Sequence, residues 1–278
     1  MSIDLHLHTH HSDGTWSPTA LVQHAISIKM KHIAITDHDS VEGINEAQDA
    51  ANGRLEVIPG IEINTIFIHD SGKREDVHVL GYFIDPKNPE LLNVLQRQQD
   101  ARTRHVYDSI DAVAALGIDI TADSVQRHAG IGSIGRAHIT MAIVEAGGAK
   151  DVNEAWEKFM LRTSEHYVPR NSVSPVDAIR AINAAGGIAS IAHPGKGAHI
   201  DALIMQLREE GGLAAIEAYH RVHSVKLVQH FIKFANKNDM LITGGSDCHG
   251  PFENYAPTVG SISVPQEVLT KMRKCYQG

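Results

Sequence analysis

Short apolar runs alternate with helix-forming segments at both ends of this 278-residue chain, and that alternation limits the fold more than any other feature. Ile3 to His8, His32 to Thr36, Leu55 to Ile58 with Ile61 to Asn64, and Val77 to Ile84 read as strands. Between the first two, Ser17-Pro18 supplies an N-cap and a proline at the first helical position, and Leu21, Val22, Ala25 and Ile26 follow at helical spacing. The rhythm returns at Ser174-Pro175, which opens a helix through Ala185 that Gly186-Gly187 ends. Ile188 to Ala192, Leu213 to Ala218 and Met240 to Gly244 follow as strands, with a helix from Val225 to Asn236. Repeated β-α-β units predict a parallel sheet, open or closed into a barrel.

The middle of the chain differs. From 86 to 171 the apolar residues fall at helical spacing: Leu91, Leu92 and Leu95, then Ile110, Val113, Ala114 and Leu116, then Ile139, Ile143 and Val144, and finally Trp156, Phe159 and Met160. Seven of its ten basic residues are arginine, the better fork for phosphate or carboxylate, whereas lysine prevails elsewhere. The expected organisation is one α/β domain, 1–85 with 172–278, and a helical insertion, 86–171, over one end of the sheet. With 42% hydrophobic and 21% charged residues, disorder, collagen and coiled coil are excluded. No apolar run approaches the roughly 18 residues of a membrane helix. The first residues lack the pattern of a signal peptide, and two cysteines make no disulfide framework, so a cytoplasmic, membrane-free protein is expected.

Nineteen histidines are the compositional anomaly, and several gather at strand ends. His6 and His8, two apart on one strand, point to the same face and can converge on one metal ion. Asp13 follows in Ser12-Asp13-Gly14. His38 closes the second strand in Thr36-Asp37-His38-Asp39, Glu62 sits in the third and His78 in the fourth. Ala192-His193-Pro194 ends the strand after the insertion, and Ser246-Asp247-Cys248-His249 ends the last. In parallel α/β folds that edge carries the active site. Six histidines and three carboxylates there exceed what one ion needs and imply two or three; the mixed donors suit Mn²⁺, Fe²⁺ or Zn²⁺. His10 and His11 read as ligand-supporting or simply exposed, and His24, His32, His128, His199 and His230 as surface or packing residues. Cys248 reads as a small buried thiol. His220 and His223 follow the strand containing Glu217, which makes His220 a candidate to contact substrate or to protonate a leaving group.

Several divalent ions together lower the pKa of a bridging water, polarise a phosphoryl oxygen and stabilise a leaving oxygen, which suits phosphate-ester hydrolysis best. Arg102 and Arg104, with His105, lie on one predicted helix, and Arg136 follows the Gly-rich turn Gly130 to Gly135 at a helix N-terminus that favours anions. These are candidate substrate contacts. The balance of 25 Lys+Arg against 33 Asp+Glu, a net charge of −8, disfavours long duplex nucleic acid while allowing a few nucleotides in a cleft.

His6-Leu7-His8 with Ser12-Asp13-Gly14, Ile35 to Asp39, Gly60-Ile61-Glu62, His78, Ala192-His193-Pro194 and Ser246 to His249 together resemble the signature of the PHP (polymerase and histidinol phosphatase) family. The resemblance implies a distorted (β/α)7 barrel with the helical insertion capping its C-terminal face, and three metals, manganese foremost. It implies that His6, His8, Glu62 and Asp247 hold one ion, that Glu62, His78 and His193 hold a second, and that Asp13, His38 and His249 hold the third. The stand-alone bacterial phosphoesterases of this family, especially those acting on nucleoside 3′,5′-bisphosphates, are most similar. Such an enzyme would release the 3′-phosphate through a metal-bridging hydroxide, with Asp13, His38 and His220 as catalytic groups and Arg102, Thr103, Arg104, His105, Arg136, His220 and His249 at the substrate. The expected partners are a small phosphorylated nucleotide and short single-stranded oligonucleotides. The alternatives are a 5′→3′ exonuclease on short 5′-phosphorylated RNA or DNA, a histidinol-phosphate phosphatase, and a non-catalytic metal- or phosphate-binding module.

Overall fold

A computed structural model describes residues 2–129, 134–161, 163–195, 199–251 and 256–277. The chain runs β1 (Ser2–Asp4), α1 (Pro18–Ser27), β2 (Met30–Ile35), α2 (Gly43–Ala51), β3 (Glu56–Ile68), β4 (Arg74–Tyr82), α3 (Pro89–Ala114), α4 (Ala122–Ala129), α5 (Arg136–Glu145) and α6 (Val152–Ala155), which continues as a π-helical turn (Trp156–Met160). It then resumes with α7 (Pro175–Ala184), β5 (Ile188–Ile191), α8 (Ile200–Gly211), β6 (Ala215–His220), α9 (Val225–Lys237), β7 (Leu241–Gly245) and α10 (Gln266–Gln277). The Ser-Pro starts behave as their chemistry requires: Ser17 accepts from the Ala20 N–H and Ser174 from the Asp177 N–H, each at 3.1 Å.

Seven strands form one sheet in sequential order. At its edges, the chain after β1 meets the end of β7: the Leu5 N–H donates to Gly244 O at 3.2 Å, the Asp247 N–H to His6 O at 2.9 Å and the His8 N–H to Cys248 O at 3.0 Å. Gly245 permits this approach, because a Cβ there would press on the His6 backbone and lie 2.8 Å from Asp4 Oδ1. The fold is the expected α/β barrel, with one correction. β4 runs antiparallel to both β3 and β5, so the sheet is not wholly parallel. Five residues join β3 to β4, too few for a parallel crossover, which needs about a dozen. They make a turn in which the Gly72 N–H reaches His69 O and the His69 N–H reaches Lys73 O, with Gly72 at φ +80. His78 therefore lies within a reversed strand, and Glu62 in the middle of the long β3, rather than at strand ends. Glu62 pairs with Leu80, which puts His78 diagonally across from it on the same face.

Val264, Val268, Leu269 and Met272 from the C-terminal segment pack with Ile3, Leu5, Ile58, Tyr82, Ile188 and Ala215, filling the barrel end where β1, β5 and β6 begin. α1 and α2 bury Leu21, Val22, Ala25 and Ala47 against β2. α7, α8 and α9 cover the other side through Ile179, Ile182, Leu203, Leu207 and Phe231.

By contacts the chain divides into two compact units, one through Leu95 and from Val173 onward, the other Gln96–Ser172. Leu91, Val94 and Leu95 at the start of α3 belong to the barrel core, so the second unit begins a few turns later than residue 86. That unit has a core of its own, built from Val106, Val113, Val125, Ile139, Ile143, Phe159 and Met160. Of the Gly-rich turn, residues 130–133 lie outside the described residues.

Candidate metal centre

Three carboxylates outside the histidine cluster first fix the loops. Asp4, at the end of β1, accepts the N–H groups of His6 and Ser246 on Oδ1 at 3.3 and 2.9 Å and that of Gly260 on Oδ2 at 2.7 Å, which ties the His6 segment to the loop after β7. Asp37, just after β2, accepts the Thr9 N–H, the Thr9 hydroxyl and the Ser12 hydroxyl at 2.6 to 2.7 Å and so anchors the turn that carries Asp13. Asp39, at φ +50, accepts from the Asn64 N–H at 2.9 Å and clamps β3 to the second loop. His193 and Asp247 also hold positive φ, +26 and +53, a conformation costly for residues with a Cβ and found most often at functional sites.

On this frame the nine residues singled out from sequence come together around Glu62, which is wholly buried. Glu62 Oε1 lies 3.0 Å from His78 Nδ1 and 3.1 Å from His193 Nε2. Its Oε2 lies 3.0 Å from His6 Nε2, 3.3 Å from His8 Nε2 and 3.2 Å from His38 Nδ1. Asp247 Oδ1 is 3.2 Å from His8 Nε2 and 3.5 Å from His6 Nε2. Asp13 Oδ1 is 3.2 Å from His249 Nε2, and its Oδ2 is 3.9 Å from His38 Nε2. Ligand atoms of His6, His8, Glu62 and Asp247 all lie within 4.8 Å of one another, as do those of His8, Asp13, His38 and His249, and of His38, Glu62 and His78.

These donors fit divalent ions. Both ring nitrogens of His8 and Nδ1 of His38 are buried and make no hydrogen bond, although carboxylate oxygens stand 3.2 to 3.3 Å from His8 Nε2 and His38 Nδ1 and 3.9 Å from His8 Nδ1. Imidazoles aimed at carboxylates without hydrogen-bonding geometry suit a cation between them better than a proton. The charges are strongly coupled. Against burial, His38 and His6 hold Glu62 well below the ordinary carboxylate range, and Asp13 and Asp247 are likewise held down by the histidines beside them. Burial works against protonation of His8, yet Asp247 and Glu62 push it up to about 10. At His38 burial prevails over Glu62 and Asp13, and its value falls to about 4.

Two residues at the centre were not singled out from sequence. Glu217 in β6 is wholly buried, its Oε1 2.8 Å from His6 Nδ1, and its Oε2 accepts the His193 N–H at 2.7 Å. A carboxylate amid the apolar run Leu213 to Ala218 was the available signal. Arg221, after β6, reaches Asp247 Oδ2 at 3.3 Å, beside His220, whose Nε2 is 3.4 Å from the same atom.

The inserted unit holds the remaining candidates. Arg104 and His105 line a cavity of about 240 Å³ with Arg97, Asp100, Asp108 and Asn171. His105 is buried with neither ring nitrogen hydrogen-bonded, and burial, then Arg170 and Arg136, push it down to about 4. Arg102 donates to Ile134 O at 3.2 Å, the Thr103 hydroxyl donates to Gln99 O of its own helix, and the Arg136 guanidinium sits 5.2 Å over the Trp156 ring.

Comparison with known proteins decides the family. The PHP domain pattern matches residues 4–224. The chain belongs to the PHP domain family. This PHP protein is 31% identical over 258 residues to the 3′,5′-nucleoside bisphosphate phosphatase of Chromobacterium violaceum, an alignment covering 91% of this chain and 88% of that one. It is 29% identical over 255 residues to the 5′-3′ exoribonuclease Rnm of Escherichia coli, covering 89% and 85%. A C. violaceum amidohydrolase structure with bound sulfate and no metal superposes with a TM-score of 0.81 at 29% identity, over 99% of this chain and 96% of that one. The PHP protein is thus a metal-dependent phosphoric ester hydrolase. No helix among its described residues is long and apolar enough to cross a membrane.

Proposed function

We propose that this PHP protein removes the 3′-phosphate of a nucleoside 3′,5′-bisphosphate to leave the 5′-monophosphate, at a centre of three divalent ions, manganese first and iron or zinc as substitutes. The observation that carries this reading is the convergence of nine imidazole and carboxylate donors on and around Glu62, in a chain related over most of its length to a bisphosphate phosphatase. One ion falls to His6, His8, Glu62 and Asp247, a second to Glu62, His78 and His193, and a third to Asp13, His38 and His249. Bound divalent ions would activate water and neutralise phosphoryl oxygens.

The protein's own groups do the rest. Glu62 presents one oxygen to His78 and His193 and the other to His6, His8 and His38, so a single buried carboxylate sets the spacing of the cluster. Asp13, which is about half exposed, and His38 stand on the accessible side, where a water can be oriented and its proton accepted. His220 Nε2, without a hydrogen bond and 3.4 Å from Asp247, is the group we assign to protonate the leaving 3′-oxygen. The same reading gives Arg102, Thr103, Arg104, His105 and Arg136 to the substrate's remaining anionic group; their replacement by alanine should raise KM more than it lowers kcat.

The E. coli exoribonuclease at 29% identity supports a second reading, exonucleolytic cleavage of short 5′-phosphorylated oligonucleotides. Phosphate release by the manganese-loaded protein from a nucleoside 3′,5′-bisphosphate, 5′-monophosphates and histidinol phosphate, beside mononucleotide release from a 5′-phosphorylated trinucleotide, separates them. A kcat/KM highest for the bisphosphate upholds the proposal; one highest for the trinucleotide replaces it with the second reading.

A further inference from the structure

Apart from the centre and the buried residues that support it, the described residues contain one other convergent donor set: His10, His11 and Glu46, whose ligand atoms lie within 4.8 Å of one another. The two histidines occupy the turn between β1 and α1, and Glu46 the first turn of α2. Their imidazoles meet edge to face at 4.8 Å between centroids. The turn is held in place from within: the His10 N–H donates to Trp16 O at 2.8 Å and the His11 N–H to the Thr9 hydroxyl at 3.2 Å, while Thr9 itself is bound to Asp37.

Glu46 is oriented as well. Its Oε1 accepts both the N–H and the hydroxyl of Thr19, at 3.1 and 2.7 Å. Both bonds come from Thr19, outside the donor set, as is usual for carboxylates that serve as metal ligands. A second carboxylate, Glu42, stands 3.4 Å from His11 Nδ1. The histidines are half-buried and Glu46 is exposed, so the cluster is open to ions in solution.

We propose that His10, His11 and Glu46 form a surface site for one zinc-type transition-metal ion, separate from the phosphoester centre. Two imidazoles and one carboxylate are a donor set for four-coordinate zinc with water in the fourth position. Magnesium and calcium prefer oxygen donors throughout. Tetrahedral ligands at zinc bond lengths sit about 3.3 Å apart, so side-chain adjustments of at most about 1.5 Å close the site. The bound ion ties the turn that carries Asp13 to α2.

The test counts total metal. Manganese-saturated protein is titrated with Zn²⁺, excess is removed by gel filtration, and manganese plus zinc per chain is measured by elemental mass spectrometry, so exchange within the centre leaves the sum unchanged. Wild type should gain one equivalent, and the His10→Asn/His11→Asn variant none. Glu46→Gln, at an exposed position, and Thr19→Val, at a half-buried one, should bind that equivalent roughly 10–100-fold more weakly. All variants should keep wild-type phosphatase activity in zinc-free buffer, which also shows that they fold; if the double variant does not, the two single variants decide. An equal sum in wild type and variants, or no gain in wild type, overturns the proposal.

Discussion

Replacing Glu217 by glutamine tests how the buried centre is organised. Glu217 makes two short contacts, to His6 Nδ1 at 2.8 Å and from the His193 N–H at 2.7 Å, in a wholly buried position. An ionised carboxylate can only accept, so it places the His6 proton on Nδ1 and leaves the Nε2 lone pair facing Glu62 and Asp247. A glutamine amide can satisfy one partner with its oxygen. Its NH₂ then meets either the His193 N–H, donor against donor, or an imidazole forced into the other tautomer. Loss of such support for a metal-binding histidine weakens metal affinity about 10–100-fold, or roughly 1.4–2.7 kcal/mol. Glu217→Ala leaves two buried donors unpaired, at about 1–3 kcal/mol each, so its unfolding free energy should fall by about 2–6 kcal/mol, a large part of the 5–15 kcal/mol that is usual. The assay is manganese dependence of phosphate release with bound metal counted in parallel, and denaturant unfolding of the metal-free proteins. A Glu217→Gln protein with wild-type manganese affinity and wild-type kcat would refute the argument, because it would show that His6 and His193 keep their places without an ionised partner.

Three further outcomes follow from particular contacts. Gly245→Ala should destabilise the protein by about 1–3 kcal/mol in denaturant titrations, since the new methyl group presses on His6 where β1 meets β7; no change in midpoint would mean the strands part without cost. His105 stays neutral in the folded protein down to about 4, whereas an unfolded histidine takes a proton near 6.5. Its contribution is therefore complete above pH 6.5 and lost as the pH falls towards 4, costing about 2 kcal/mol between pH 7 and 5. Unfolding curves at those two pH values should show that loss in wild type and less of it in His105→Gln; parallel losses would refute it. Chelation should abolish phosphate release and lower Tm, with both restored by added manganese, whereas Glu62→Gln should not be restored at any manganese concentration; full rescue of that variant would remove Glu62 from the centre.

How much of this could be read in the chain depends on the kind of signal each residue carries. The nine donors were legible because most sit in short polar motifs abutting apolar strands, and because His6 and His8 fall two apart, where the pleat puts both on one face. The reversal of β4 leaves little trace in the strand itself, since Val77 to Ile84 looks the same in either direction; only Asp70-Ser71-Gly72 tells a hairpin from a crossover. α2 and α10 are weakly marked because their buried stripes are short, as with Val268, Leu269 and Met272 of α10 amid polar neighbours, and packing against the barrel completes what periodicity leaves weak; α8, by contrast, carries Ile200, Leu203, Ile204 and Leu207 at plain helical spacing.

Glu217 shows the deeper difficulty. A lone acid in an apolar strand breaks the pattern of its own segment, and the partners that justify its burial, His6 and the His193 N–H, lie 211 and 24 residues away in the chain. Only closure of the barrel brings them together. The donors can thus be named from local motifs, but the residues that fix their protonation and orientation are long-range. Asp4 is the same case: its three N–H partners come from the segment just after its strand, from Ser246 beyond β7 and from Gly260, so it holds donors in place without being one. A substitution at Asp4 or Glu217 should therefore weaken metal binding while every donor remains, which separates holding a ligand from being one.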